Sequence, residues 1–190
     1  MSFKIILLMF LCAFPSIIFA SEHLNHKFQI GINTSTIDVK TENSSNTSKA
    51  STSFQSVNIN PLLNYFFTPK SAVTVSYFKS FFGEFETSSA SVGYKYYFSN
   101  GTTVVLQHEN KKIITTPNWS PFISLAYQLL TVSAESGRID FDGVEMSLGT
   151  DYQLNNLYFL NVRSSYGHLS SGSTRTSSPF SFGVAIGKSF

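Results

Sequence analysis

The sequence predicts an all-β protein: a closed, antiparallel, up-and-down transmembrane β-barrel of eight strands, with ten as the alternative. Three observations lead there. Apolar residues alternate with small or polar ones along most of the chain after residue 25, the pattern of strands with two unlike faces. Phe and Tyr are frequent, 19 and 9 of 190 residues, while Asp, Glu, Lys and Arg together reach only 13%. Abundant aromatics with sparse charge suit a barrel in lipid. After residue 20 no apolar run has the length of a membrane helix, so any crossing has to be made by strands, and the sheet has to close because an unpaired edge is too costly in hydrocarbon.

Residues 1–20, MSFKIILLMFLCAFPSIIFA, join one early positive charge, Lys4, to an apolar run and a small final residue. This is the composition of a secretory signal peptide cut after Ala20, which leaves 21–190 as one barrel domain. The single cysteine, Cys12, falls inside that segment. It follows Phe10 and Leu11 rather than the small residue a lipidation site needs, so the mature chain carries neither a lipid anchor nor a disulfide. Removing Lys4 from 13 basic and 11 acidic residues leaves a net charge near +1. No polyanion-binding surface follows from that balance, and nucleic acid is excluded as a partner.

Strands are read in order from the period-two alternation. In 26–39, Phe28, Ile30 and Ile32 share one face. In 53–67, Val57, Ile59, Leu63, Tyr65 and Phe67 do so, with Pro61 on the same face marking a bulge. A tight turn at 68–71 leads to 72–82, with Val73, Val75, Tyr77 and Phe81 outward, and then to 88–98, with Val92, Tyr94, Tyr96 and Phe98. Three further strands, 119–135, 142–153 and 156–168, present Ile123 and Leu125, Met146 and Leu148, and Leu160 and Val162. The last, 180–190, sets Phe180, Phe182, Val184, Ile186 and Phe190 against Ser181, Gly183, Ala185, Gly187 and Ser189. Its second face is small enough to suit a narrow interior.

Turns at 68–71 and 154–156 are short, while 40–52, 136–141 and 169–178 read as longer polar loops. That asymmetry is the outer-membrane pattern, with the long loops outside the cell and both termini periplasmic. The stretch 99–118 does not fit a short turn. Its two brief apolar runs, 102–107 and 113–116, flank a charged tip and predict a periplasmic hairpin appended to eight strands, ten strands being the alternative. Aromatics gather near both predicted interfaces, Tyr65, Phe67, Tyr96, Phe98, Tyr152, Tyr158 and Phe190 at one and Tyr77, Phe81, Tyr166 and Phe180 at the other, as girdles at headgroup level.

These residues resemble the small outer-membrane β-barrels of the OmpA/OmpX-like kind, over essentially all of 26–190. The terminal strand is similar to the signal read by the barrel-assembly machinery, with Phe190 last and Ile186, Val184 and Phe182 at alternate positions before it. Lys188 stands where that pattern has an apolar or tyrosine residue. The resemblance implies a place in the bacterial outer membrane, insertion by the barrel-assembly machinery, contact with outer-membrane lipid and lipopolysaccharide, and a monomer. It implies no cofactor.

Candidate chemistry is confined to a few positions. Glu145 and Arg163 point inward from adjacent antiparallel strands, and the tight turn at 154–156 puts them directly or diagonally opposite. Lys95 and Asp151 are inward as well and extend this set of lumen charges. Eight-stranded barrels have interiors that side chains can fill, so the group reads as a plug, the alternative being a gate across an ion path. His168 and Ser170, in 166-YGHLSSGS-173, resemble the His-x-Ser of the lipid A 3-O-deacylases, but Ser171 replaces that family's asparagine and 178–190 contains no orienting acid. The expectation is therefore no enzyme. The four histidines form no metal set. A mature start at Ser21-Glu22-His23 would offer an amine and a third-position histidine to Cu(II) or Ni(II). The function expected is structural or surface-interacting, with a narrow pore near Glu145/Arg163 as the alternative and a lipid A-modifying hydrolase third.

Overall fold

A computed structural model describes residues 22–23, 26–42, 49–83, 85–102, 104–108, 111–115, 118–134, 137–155, 157–172 and 174–190. Residues 1–20, and with them the expected signal peptide, lie outside the described part, as does Ser21 of the expected copper-binding start. The strands are β1 (Glu22–His23), β2 (His26–Glu42), β3 (Lys49–Thr68), β4 (Ser71–Gly83), β5 (Glu86–Tyr97), β6 (Val104–His108), β7 (Lys111–Thr115), β8 (Trp119–Ala134), β9 (Gly137–Gln153), β10 (Tyr158–Ser171) and β11 (Arg175–Ser189). Eight of them close into one antiparallel barrel in the order β2-β3-β4-β5-β8-β9-β10-β11, with β11 returning to β2. The count is eight, not ten, because β6 pairs with β7 on one side and β1 on the other in a separate small sheet.

Closure is staggered. Following direct partners from Gln29 through Leu62, Ser76, Ser91, Gln128, Gly143, Leu169 and Ser177 returns to β2 at Val39, ten residues beyond the start. Such a stagger in eight strands tilts them steeply against the barrel axis. Both ends of the barrel sequence meet at one end of the cylinder, where His26 N–H donates to the Phe190 carbonyl at 3.3 Å and Phe190 N–H to the His26 carbonyl at 2.8 Å. We call this the termini end and the other the far end.

The far end corrects the expected loops. The described residues of 40–52, 136–141 and 169–178 are largely strand: β2 runs to Glu42, β3 starts at Lys49, β9 at Gly137, β10 continues to Ser171 and β11 starts at Arg175, while 43–48, 136 and 173 lie outside the described part. The reason is a switch in which face is apolar. Near the termini end the outward residues are apolar, as with Ile30 and Ile32 at 50% and 59% exposure, whereas Ile37 on the same strand is fully buried inside. A strand that changes its apolar face still pairs, but its alternation looks broken when one parity is followed through.

Pro61 is also corrected. It keeps its place opposite Ile30 of β2. Toward β4 the ladder skips Asn60 and Pro61 without changing register, and the shifts lie instead at Val57/Asn58 and Phe66/Thr68. Proline removes a donor from the ladder, yet here it adds no residue.

The small inward face of β11 has a steric cause. A Cβ at Gly187 would strike the Phe159 ring, and one at Gly183 would strike the Asn33 side chain. Each large lumen residue on a neighbouring strand therefore occupies space that β11 leaves empty.

Candidate functional site: the closed lumen

At the termini end the interior is a layer of rings threaded by charge. Phe66, Tyr97, Phe122 and Phe159 are buried there. Phe66 and Tyr97 stand 5.5 Å apart between centroids, as do Tyr97 and Phe122. Alternation aims Lys27 inward from β2, and its ammonium lies 2.9 Å from Asp151 Oδ2 and 4.5 Å from the Phe159 ring centroid. The same carboxylate accepts from the Tyr97 hydroxyl at 3.0 Å and from Asn161 Nδ2 at 2.7 Å. Asp151 is thus held by three donors from three other strands, which makes it the electrostatic centre of this layer. A buried ion pair repays its desolvation only when its remaining valences are met in this way.

Lys95 is treated differently. Its side chain is buried, its ammonium sits 4.2 Å from the Phe122 centroid, and it has no hydrogen-bond partner among the described residues. The attraction of the nearby Asp151 carboxylate and the cation–π contact are its compensation.

Arg163 and Glu145 do not stand opposite each other. Arg163 pairs with Gly149 and Glu145 with Gly167, so Ser147 and Ser165 intervene. The two-residue error comes from the turn: β9 ends at Gln153 and β10 starts at Tyr158, a longer connection than 154–156. Ser147 Oγ donates to Glu145 Oε1 at 3.2 Å. Arg163 is buried beside Asn33, whose amide, oriented to satisfy its neighbours, accepts from the guanidinium at 3.3 Å. Of the four charges expected in the lumen, Asp151 pairs directly with Lys27, and Lys95 interacts with that pair through space across the Tyr97 ring. Glu145 and Arg163 interact with each other only at longer range.

The middle of the lumen is lined by hydroxyls and amides, many of them paired, although Gln29 Oε1, Thr74 Oγ1 and Gln128 Oε1 have no hydrogen-bond partner among the described residues. Ser76 and Ser91 are linked at 2.7 Å and Ser165 and Ser181 at 2.6 Å, while Asn58 Nδ2 donates to Ser35 Oγ at 2.8 Å and Gln128 Nε2 to Ser89 Oγ at 3.0 Å. Above them, at the far end, Ile37, Phe54, Phe78, Leu130, Val132, Phe141 and Leu169 form one buried apolar cluster, with Val39, Phe85 and Ile139 against it. The lumen is therefore filled with bulky groups at both ends.

Two features of this interior were missed from the sequence. Lys27 has the same parity as Gln29 and Gly31, so the alternation already placed it inside. The apolar cluster was readable in 36-TIDV-39 and 137-GRIDFDG-143, where apolar residues occupy the inward parity.

His168 and Ser170 face outward and are exposed on β10. Their cross-strand partners are Val144 and Asp142. Neither side chain has a hydrogen-bond partner among the described residues, and the Asp142 carboxylate accepts instead from the Tyr127 hydroxyl. No base, nucleophile and acid come together there. Among the described residues no three His, Cys, Asp or Glu side chains are grouped to hold a metal ion.

The terminal strand positions Phe182, Val184, Ile186 and Phe190 on the outer face, each about half exposed. Tyr65, Tyr96, Phe98, Trp119, Tyr152 and Tyr158 surround the termini end of that face, and Tyr77, Tyr166 and Phe180 its other edge. The Phe81 side chain lies outside the described part.

No protein-family model matches the chain, and no curated protein sequence matches it. Solved structures do. The chain is similar to the N-terminal β-barrel domain of Pseudomonas aeruginosa OprF, with 12% identity and a TM-score of 0.55, covering 89% of this chain and 100% of that one. It is similar to the outer membrane protein OprG from Pseudomonas aeruginosa, with 15% identity and a TM-score of 0.55, over 88% and 97%. The outer membrane protease OmpT from Escherichia coli aligns at 7% identity and a TM-score of 0.53, over 93% and 100%. Identities this low speak to architecture alone: the chain has the small eight-stranded barrel fold of bacterial outer-membrane proteins.

Proposed function

We propose that this protein is an integral outer-membrane barrel with a structural or surface-interaction role, its far end outside the cell and both termini periplasmic. The observation that carries the reading is the double closure of the lumen. The Lys27–Asp151 layer with its rings blocks one end, and the apolar cluster around Leu130 and Phe141 blocks the other. A hydrated ion meets a dry, uncharged constriction at that cluster, and such constrictions stop conduction by dewetting. The placement in lipid is supported by the outward apolar face, which has no partner in a monomer other than hydrocarbon.

Surface interaction would fall to the far-end rim, where Lys79 and Glu86 pair at 2.8 Å and Arg138 and Asp140 at 2.9 Å on exposed strand ends. The alternative, a narrow pore, would have to open through the apolar cluster rather than at Glu145 and Arg163. A lipid A-modifying activity has no assembled site to support it.

The test is planar-bilayer recording of the refolded protein, with the heat-dependent gel shift showing that the barrel is folded. The expected outcome is a silent membrane. Reproducible conductance steps that change with Glu145→Gln would replace this reading with the pore.

A further inference from the structure

Lys188 is out of place on the outer face of β11. It follows Phe180, Phe182, Val184 and Ile186 on the same parity, and its cross-strand partners are Tyr158 and Phe28. Its ammonium lies 5.0 Å from the Phe190 ring centroid and 6.0 Å from that of Tyr158. Another outward lysine bordering the apolar face, Lys79, has Glu86 at 2.8 Å. Lys188 has no acidic partner among the described residues.

Immediately beyond Lys188 the outer wall is hollow. A groove of 670 Å³ crosses β10, β11 and β2, walled by Ile30, Ile32, Leu160, Val184 and Ile186. Its floor is backbone, since Gly31, Gly183 and Ala185 between these walls turn inward to the lumen. Ile186 is both a wall of the groove and the nearest same-face neighbour of Lys188, so Lys188 follows the groove's termini end one outward position further along β11.

We propose that this groove and Lys188 together bind one glycerophospholipid of the leaflet at the termini end, an acyl chain lying in the groove and the phosphodiester resting on the Lys188 ammonium. An aliphatic groove ending in one cation beside a phenol is complementary to an apolar chain ending in one anionic phosphate. A lysine near the interface can extend its charge to headgroup level while its stem covers apolar surface, and each such cation attracts anionic headgroups by about 1 kcal/mol.

The inference rests on the membrane placement proposed above, and the two fail differently. A protein absent from the membrane fraction sinks the placement, whereas a membrane-resident barrel without lipid preference sinks only the site. The full chain is extracted in mild detergent from membranes containing phosphatidylethanolamine, phosphatidylglycerol and cardiolipin, and bound lipid is read by native mass spectrometry. Wild type is expected to retain one glycerophospholipid. Lys188→Gln is expected to lower the retained fraction about fivefold, the ratio that 1 kcal/mol represents. Val184→Trp, which fills the groove, should lower it similarly, and Lys40→Gln, exposed on β2 at the far end, should leave it unchanged. The gel shift on heating checks that each variant is folded, and if Val184→Trp does not fold the two lysine variants decide. Equal retention by Lys188→Gln and wild type, or lipopolysaccharide bound in place of phospholipid, overturns the proposal.

Discussion

On β9, Leu148 and Met146 face outward with Ser147 inside, while a few residues earlier Phe141 faces inward with Asp140 and Asp142 outside. The same inversion occurs on β2 between Ile32 and Ile37, and on β10 between Tyr166 and Leu169. Near the termini end the barrel is built for lipid, apolar outside, with charges set among aromatic rings and paired polar groups within. Near the far end it is built like a water-soluble barrel, apolar within and charged outside. One continuous hydrogen-bonded wall serves both, because backbone pairing is indifferent to which face is apolar. The stabilising forces differ accordingly. The far-end cluster gains from removing apolar surface from water, whereas the outer face in lipid gains little that way and the interior beneath it relies on paired polar groups.

The strongest test of that contrast is to remove one charge from the termini-end layer. Lys27→Met leaves the Asp151 carboxylate buried without its cation, and breaking a buried pair costs about 3–5 kcal/mol. Urea unfolding in detergent or lipid should show that loss, and a loss below 1 kcal/mol would mean the layer is hydrated rather than dry. Next, Leu169→Ala in the far-end cluster should cost about 2–5 kcal/mol, as for a water-driven core, while Val162→Ala on the lipid face should cost much less.

A third pair of variants checks the boundary between the two regions. Leu148→Lys on the outer face should cost about 2–4 kcal/mol, the range for a cation at mid-membrane on a barrel. Gln55→Lys, outward on β3 beyond the boundary, should stay within about 0.5 kcal/mol. Similar costs at the two positions would dissolve the distinction.

Most of the architecture was legible in the sequence because a lipid-facing strand declares itself by alternation. Ile30 and Ile32, or Val184 and Ile186, need no partner to be interpreted. The separate hairpin at β6 and β7 was legible too, its runs being too short to cross a bilayer. Loop boundaries were not, because Ile37, Phe54, Ile139 and Leu169 change parity where water replaces lipid, and a pattern followed through one parity ends there. The lumen was legible as charged but not as paired. Which carboxylate meets which cation depends on register to within two residues, and the turn after Gln153 displaced Glu145 from Arg163. Lys27 finds Asp151 from a strand 124 residues away in sequence, a closeness that only barrel closure creates.

The parity switch has a consequence for where such a barrel can live. On β10 the outward apolar stretch runs from Tyr158 to Tyr166, and a steeply tilted strand of that extent spans roughly 20 Å of height. With girdle side chains added, the hydrophobic thickness remains below the average bilayer's ~30 Å. The charged faces of Asp140 and Asp142 allow no slide of the barrel toward its termini end, since each residue of such displacement would carry carboxylates into hydrocarbon. A thick membrane would have to thin around this wall, at a cost in fractions of a kcal/mol per ångström, whereas the bacterial outer membrane is thinner than average. In the membrane placement proposed above, the change of face along each strand sets the molecule's vertical position and matches it to a thin bilayer.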